Sequence, residues 1–158
     1  FLNEQPNFIP QASLFDTLVV LTHTDAEGEG ANVFNLYNLT QDKFIYTKTI
    51  PGDTSGAFSH SPSIHSGKIY FPAGPVILCF DLKTGNELWR TRFSSITTSA
   101  LLIVNNKIYS TNENRTTYCL DVETGKILWQ TGTRGGASKP FFMNGVIYFT
   151  SIADGNLY

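Results

Sequence analysis

Two nine-residue stretches decide how this chain is read: Asp81-Leu-Lys-Thr-Gly-Asn-Glu-Leu-Trp89 and, 40 residues later, Asp121-Val-Glu-Thr-Gly-Lys-Ile-Leu-Trp129. Upstream of each stands a short strand-like run, Lys68-Ile-Tyr-Phe71 and Lys107-Ile-Tyr-Ser110, and a third copy, Val146-Ile-Tyr-Phe149, follows 39 residues after the second. A worn copy lies ahead of them. Val33-Phe-Asn-Leu-Tyr-Asn38 aligns with Val76-Ile-Leu-Cys-Phe-Asp81, which puts Tyr46 where Trp89 stands. A fixed repeat of this length decides the architecture before any local pattern does.

Each unit divides into four short strands bounded by turn residues. The predicted strands are 8–15, 16–23, 31–38 and 43–50 in the first unit, then 58–65, 67–73, 76–82 and 86–93 in the second. The third unit has 97–104, 106–112, 115–122 and 126–132. The fourth has 137–143 and 145–151, with a third strand opening at Gly155-Asn-Leu-Tyr158. Lys83-Thr-Gly85 and Glu123-Thr-Gly125 each place a glycine where a tight reversal needs positive φ. Four strands every 40 or so residues predict an all-β fold, a β-propeller of four-stranded antiparallel blades. The expected domain is 1–158, with blades near 8–50, 58–93, 97–132 and an incomplete 137–158. Both faces of a blade are covered by its neighbours, so Ile69 and Phe71 are expected to face one neighbour and Tyr70 the other.

Composition agrees with this architecture and removes several others. Only 15% of the 158 residues are charged, against roughly 25% in ordinary soluble domains, while 12 Phe, 7 Tyr, 13 Gly and 7 Pro suit apolar strands joined by short turns. A formal net charge of −2 without clustered Lys or Arg argues against a nucleic-acid partner. No apolar run approaches the roughly 18 residues of a membrane-spanning helix.

At the repeated stretches the sequence resembles the quinoprotein-type (PQQ-like) β-propellers, whose blades carry a tryptophan-docking motif, Ala-x-Asp-x-x-Thr-Gly-x-x-x-Trp. The second unit matches through Cys79, Asp81, Thr84, Gly85 and Trp89, and the third through Cys119, Asp121, Thr124, Gly125 and Trp129, with cysteine in place of alanine. In the first unit Asn38 and Tyr46 replace Asp and Trp, a degenerate version. The resemblance implies that each Trp stacks on the glycine turn of an adjacent blade and bonds a local carbonyl, while Asp and Thr hold the turn. Asp81, Thr84, Gly85, Trp89, Asp121, Thr124, Gly125 and Trp129 are therefore structural residues. Removing either Trp is expected to cost about 3–5 kcal/mol, as for a buried large-to-small change.

Chemistry is sparse. Cys79 and Cys119 occupy equivalent places in consecutive units, too far apart for a bridge and best taken as small buried side chains. His23, His60 and His65 are the three histidines. His60 and His65 fall on one predicted inner strand and point to opposite faces, so no metal site is expected. Asp25-Ala-Glu-Gly-Glu29 lacks the ligand series of a calcium loop and is a solvated loop. Asn38-Leu-Thr40 and Asn114-Arg-Thr116 are glycosylation sequons, with their use left open. Family geometry puts ligands at the channel mouth, on loops 51–58, 94–98, 133–137 and 153–156. Arg134, beside Gly135-Gly136, and His60 are the candidate binding residues.

The resemblance implies a non-catalytic scaffold that binds or assembles proteins outside the cytoplasm, like the outer-membrane assembly lipoproteins and the secreted PQQ-like repeat proteins, with no cofactor. The alternatives are part of a PQQ- and Ca²⁺-dependent alcohol or sugar dehydrogenase, whose catalytic Asp and calcium ligands match no residue here, and a luminal sensor-type propeller. A closed ring of six to eight blades needs roughly 240–330 residues. The chain is thus expected to be a piece of such a ring, continued past Tyr158 by another Asp-x-x-Thr-Gly run or completed by a second copy.

Overall fold

The runs Lys68–Ala73 and Val76–Asp81 alternate β-branched, aromatic and small residues around Gly74-Pro75, and they pair as an antiparallel hairpin from Lys68↔Asp81 to Ala73↔Val76. The same device recurs along the described residues. A computed structural model describes residues 11–24, 32–50, 60–132 and 139–149. Their strands are β1 (Gln11–Phe15), β2 (Leu18–Thr24), β3 (Asn32–Asn38), β4 (Lys43–Ile50), β5 (Ser63–His65), β6 (Lys68–Ala73) and β7 (Val76–Asp81). The series continues with β8 (Glu87–Arg92), β9 (Leu102–Val104), β10 (Lys107–Asn112), β11 (Thr116–Asp121), β12 (Ile127–Gly132), β13 (Phe141–Met143) and β14 (Val146–Tyr148). They form three four-stranded meanders, β1 to β4, β5 to β8 and β9 to β12, and a two-stranded piece, β13–β14. No helix among the described residues is long and apolar enough to cross a membrane.

Strand alternation sends successive side chains to opposite faces, and the second sheet uses both. Ile69, Phe71, Ala73, Val76, Leu78 and Phe80 pack with Val20, Phe34, Leu36 and Ile50 of the first sheet. Tyr70, Ile77 and Cys79 pack with Leu101, Ile108, Tyr118, Leu120 and Val122 of the third. The expected split of Ile69 and Phe71 from Tyr70 is what the two cores show. Phe34 anchors the first seam with its ring centroid 4.8 Å from Phe71 and 4.9 Å from Phe80. Phe93 and Tyr118, 4.6 Å apart, do the same at the second. Each such side chain contributes about 1.5–3 kcal/mol by leaving water.

Two-residue turns join the first two strands of the later units. Ser66-Gly67, Asn105-Asn106 and Asn144-Gly145 all have positive φ, the type I′ pattern that matches strand twist. The inner strands are shorter than expected: β5 and β9 have three residues each, where 58–65 and 97–104 were predicted. Pro62 has no N–H for a ladder. Ahead of β9 the ladder is interrupted and side chains join the backbone pairing: Thr97 bridges Asn112, the Ser99 hydroxyl accepts from Thr111 N–H at 3.3 Å, and Thr98 donates both its N–H and its hydroxyl to Thr111 O. His60 therefore lies ahead of β5, and it does not share a strand with His65 as the sequence suggested.

Candidate functional site

The outer strands carry a bulge at one recurring place. Leu36 pairs with Tyr46 and Tyr37 with Phe44, Cys79 pairs with Trp89 and Phe80 with Glu87, and Cys119 pairs with Trp129 and Leu120 with Ile127. Ile45, Leu88 and Leu128 are the residues left unopposed. A bulge bends a strand and re-aims the next side chain; here the next side chain is Tyr46, Trp89 or Trp129.

The turns that follow β7 and β11 are wired alike. Asp81 Oδ1 accepts from Thr84 N–H at 2.7 Å and the Thr84 hydroxyl at 2.8 Å; Asp121 Oδ1 accepts from Thr124 at 2.9 and 2.8 Å. These threonine bonds hold both carboxyls below the usual carboxylate range. They also fix Gly85 and Gly125 in the left-handed region, at φ 67° and 69°. In the first sheet Asn38 Oδ1 does the same for Gln41 N–H at 2.9 Å. Asp42, bonded to the Tyr37 hydroxyl, takes the left-handed position there.

Between the second and third sheets, Trp89 lies so close over Gly125 that an added Cβ would fall 2.4 Å from its Cε3. Trp89 Nε1–H donates to Val122 O at 3.3 Å, and the same carbonyl accepts from the Tyr70 hydroxyl at 3.4 Å. The Thr91 hydroxyl donates to Gly125 O at 2.6 Å, and Lys68 Nζ meets Glu123 Oε2 at 2.6 Å. Between the first and second sheets Tyr46 takes the place of the indole. Its ring covers Gly85, where a Cβ would fall 2.8 Å from Cε2, and its hydroxyl donates to Leu82 O at 2.9 Å. Burial pushes the Tyr46 phenol up to about 12, so it stays a donor. The degenerate first unit thus makes the same kind of contact through a different ring. Trp129 is 43% exposed, and the described residue whose ring meets it is Tyr109, at 5.9 Å.

The remaining candidates are placed as follows. Arg134, the acidic loop from Asp25 to Glu29, and the loops 51–58, 133–137 and 153–156 lie outside the described residues. His60 is half-exposed on a bend, and His23 contacts Asn35 Nδ2 at 3.5 Å. No three of the described His, Cys, Asp or Glu residues gather closely enough to hold a metal ion. Cys79 and Cys119 are buried and free. Burial pushes the Cys79 thiol up to about 12 and raises that of Cys119, which removes the thiolate a nucleophile needs.

Two features escaped the sequence reading. Loop 94–98 is tied down by Asn112, whose Nδ2 donates to Ser95 O at 2.7 Å, and by Asn114, which donates to Ser94 Oγ at 3.1 Å. Beside it, Thr97 Oγ1, Ser110 Oγ and Asn112 Oδ1 are buried without a hydrogen-bond partner among the described residues. The signal was present: Ser110-Thr-Asn112 replaces the apolar Phe71-Pro-Ala73 of the preceding unit. The other feature is a cleft of about 290 Å³ at the first seam, lined by Leu18, Leu36, Ile45, Gly67, Leu82 and Lys83.

A family model described as outer membrane protein assembly factor BamB matches residues 72–158. Among solved structures, BamB from Moraxella catarrhalis is 13% identical with a TM-score of 0.70, over 92% of this chain and 40% of its own. The computationally designed Ika8 protein is 17% identical with a TM-score of 0.74, over 93% of this chain and 43% of its own. A europium-containing methanol dehydrogenase is 18% identical with a TM-score of 0.63, over 79% of this chain and 24% of its own. No curated protein matches. At these identities the likenesses establish the fold, part of a β-propeller, and the chain spans less than half the length of these three structures.

Proposed function

This chain belongs to the PQQ-like repeat family described as outer membrane protein assembly factor BamB, and on that premise we propose that it is a non-catalytic scaffold that binds or assembles proteins outside the cytoplasm. The family match over residues 72–158 carries the reading. The use of the polar groups supports it. Asp81, Thr84, Asp121 and Thr124 are spent on turns, and Tyr46, Tyr70 and Trp89 on carbonyls of the next sheet.

In this reading Asp81, Thr84, Gly85, Trp89, Asp121, Thr124, Gly125 and Trp129 form a docking system that holds blades in register. Rigid blades then present channel-mouth loops to a partner, with Arg134 and His60 as the contact residues. Affinity capture with the tagged chain tests this. A protein partner should be retained by the native chain and lost from Arg134→Glu and His60→Ala variants. Capture unchanged across both variants would remove these residues from the interface.

The second reading, part of a quinoprotein dehydrogenase, draws on the likeness to the methanol dehydrogenase and to a quinohemoprotein alcohol dehydrogenase from Comamonas testosteroni. Among the described residues no three of the His, Cys, Asp or Glu side chains gather closely enough to hold a metal ion. Titration of the chain with PQQ and Ca²⁺ separates the readings: the scaffold shows no quinone difference spectrum and no dye-linked alcohol oxidation.

A further inference from the structure

The two seams follow one plan, position for position, and differ where they reach solvent. Lys68, opposite Asp81 in the ladder, is replaced at the first seam by Leu18, opposite Asn38. Glu123, one residue past the carbonyl that accepts from Trp89, is replaced by Lys83, one residue past the carbonyl that accepts from Tyr46. Asn106 is replaced by Gly67, and an indole by a phenol. The ion pair and large ring that close the second seam are therefore missing from the first.

What opens in their place is the 290 Å³ cleft. Leu36 and Leu82, 2% and 8% exposed, form its floor, while Ile45 and Lys83 stand exposed at the rim. The volume is about twice the ~150 Å³ that takes up a benzene ring. Lys83 forms no ion pair with a described residue, and Asp81, the acid on its own turn, is engaged by Thr84. The Lys83 charge also helps to hold the Asp81 carboxyl down, yet its ammonium stands exposed at the rim, so the apolar floor beside it complements an apolar group next to a carboxylate.

We propose that this cleft is a binding site for a peptide segment that inserts one leucine- or phenylalanine-sized side chain and sets a neighbouring carboxylate against Lys83. The proposal deepens the scaffold reading by naming a partner class, and it rests on that reading for the ligand's being a protein segment.

The test is fluorescence anisotropy on the chain with a labelled hexapeptide carrying one phenylalanine beside one aspartate in a glycine–serine background. Saturable binding is expected, and exchanging the aspartate for lysine should weaken it about threefold or more. The double variant Leu18→Lys/Lys83→Glu, which rebuilds the ion pair of the second seam, should lose about tenfold in affinity. Gly67→Asn is the second variant. A Cβ there meets nothing within 4 Å, and Asn tolerates the positive φ; it sets at the mouth the side chain that stands at position 106 in the next unit and should weaken binding severalfold. No saturable binding, or full binding by both variants, overturns the proposal. Displacement of the peptide by decanoate at lower concentration than by unlabelled peptide would also overturn it, in favour of an acyl chain. Peptide binding without any captured partner would leave the site standing and sink the mouth-loop interface, so the two failures are distinguishable.

Discussion

The seam between the first and second sheets and the seam between the second and third rest on the same backbone. In both, an outer-strand ring, placed by a bulge, lies on a left-handed glycine and donates to a carbonyl three residues before it. At the second seam the ring is an indole, the adjacent Thr91 also bonds the glycine carbonyl, and Lys68 and Glu123 cross the gap. At the first, Lys48 lies over the Tyr46 ring at 6.0 Å instead, and the rim is open. The glycine turn and the bulge set whether sheets dock; the side chains around them set how tightly the seam shuts. Trp129 adds a third case. It carries the full motif, and with the described residues around it 43% of its surface is exposed.

The largest expected effect breaks this contrast most directly. Trp89→Ala should lower the urea-unfolding free energy by about 3–5 kcal/mol, whereas Trp129→Ala should cost no more than about 1 kcal/mol. Equal losses would mean that the motif, not its covering, carries the energy. Next come the glycines. A Cβ at Gly125 meets the rigid indole at 2.4 Å, while at Gly85 one of its two nearest contacts is the mobile end of Lys48. Gly125→Ala should therefore cost about 2–3 kcal/mol and Gly85→Ala about 1–2, both including left-handed strain.

Lys68→Leu, which gives the second seam the first seam's residue, should cost under about 1 kcal/mol, because its partner Glu123 is 60% exposed. The loss should fade in 1 M salt. The smallest effect is in acid. Asp81 and Asp121 have depressed folded values, so their contribution is present above the ordinary carboxylate range and is lost as pH falls below that range through the folded values. An Asp81→Asn/Asp121→Asn variant should flatten the melting-temperature profile in that window. It should change little at neutral pH, since Asn38 already holds the first turn.

The repeat and the pleat were legible because they depend on spacing within one unit. The two-faced burial of Ile69, Tyr70 and Phe71 and the wiring of Asp81 to Thr84 follow from local pattern. The equivalence of Tyr46 to Trp89 was visible from alignment, but its docking on Gly85 was not, because the contact joins residues 39 apart across a seam. The short β5 and β9 were missed for other reasons: Pro62 offers no ladder N–H ahead of β5, and before β9 the Ser99 and Thr98 hydroxyls bond the Thr111 backbone, which strand periodicity does not register. The cleft was the least legible feature. It arises from pairs of substitutions, Leu18 with Lys83 against Lys68 with Glu123, that mean something only once the two sheets face each other.

Strand order within each sheet is simply sequential, with two-residue turns between the first two strands of the later units. Every ladder bond among the described strands is therefore closed within its own stretch of some 40 residues, and the sheets meet through their faces and through a few bonds at their inner strands, such as Ser13 to Pro62 O. A gene encoding such a chain can gain or lose a unit by in-frame duplication or deletion without severing a single ladder. Duplicated copies are then free to drift at the seam surface while their interiors stay fixed. The first and second seams of this chain have the form that such drift leaves behind.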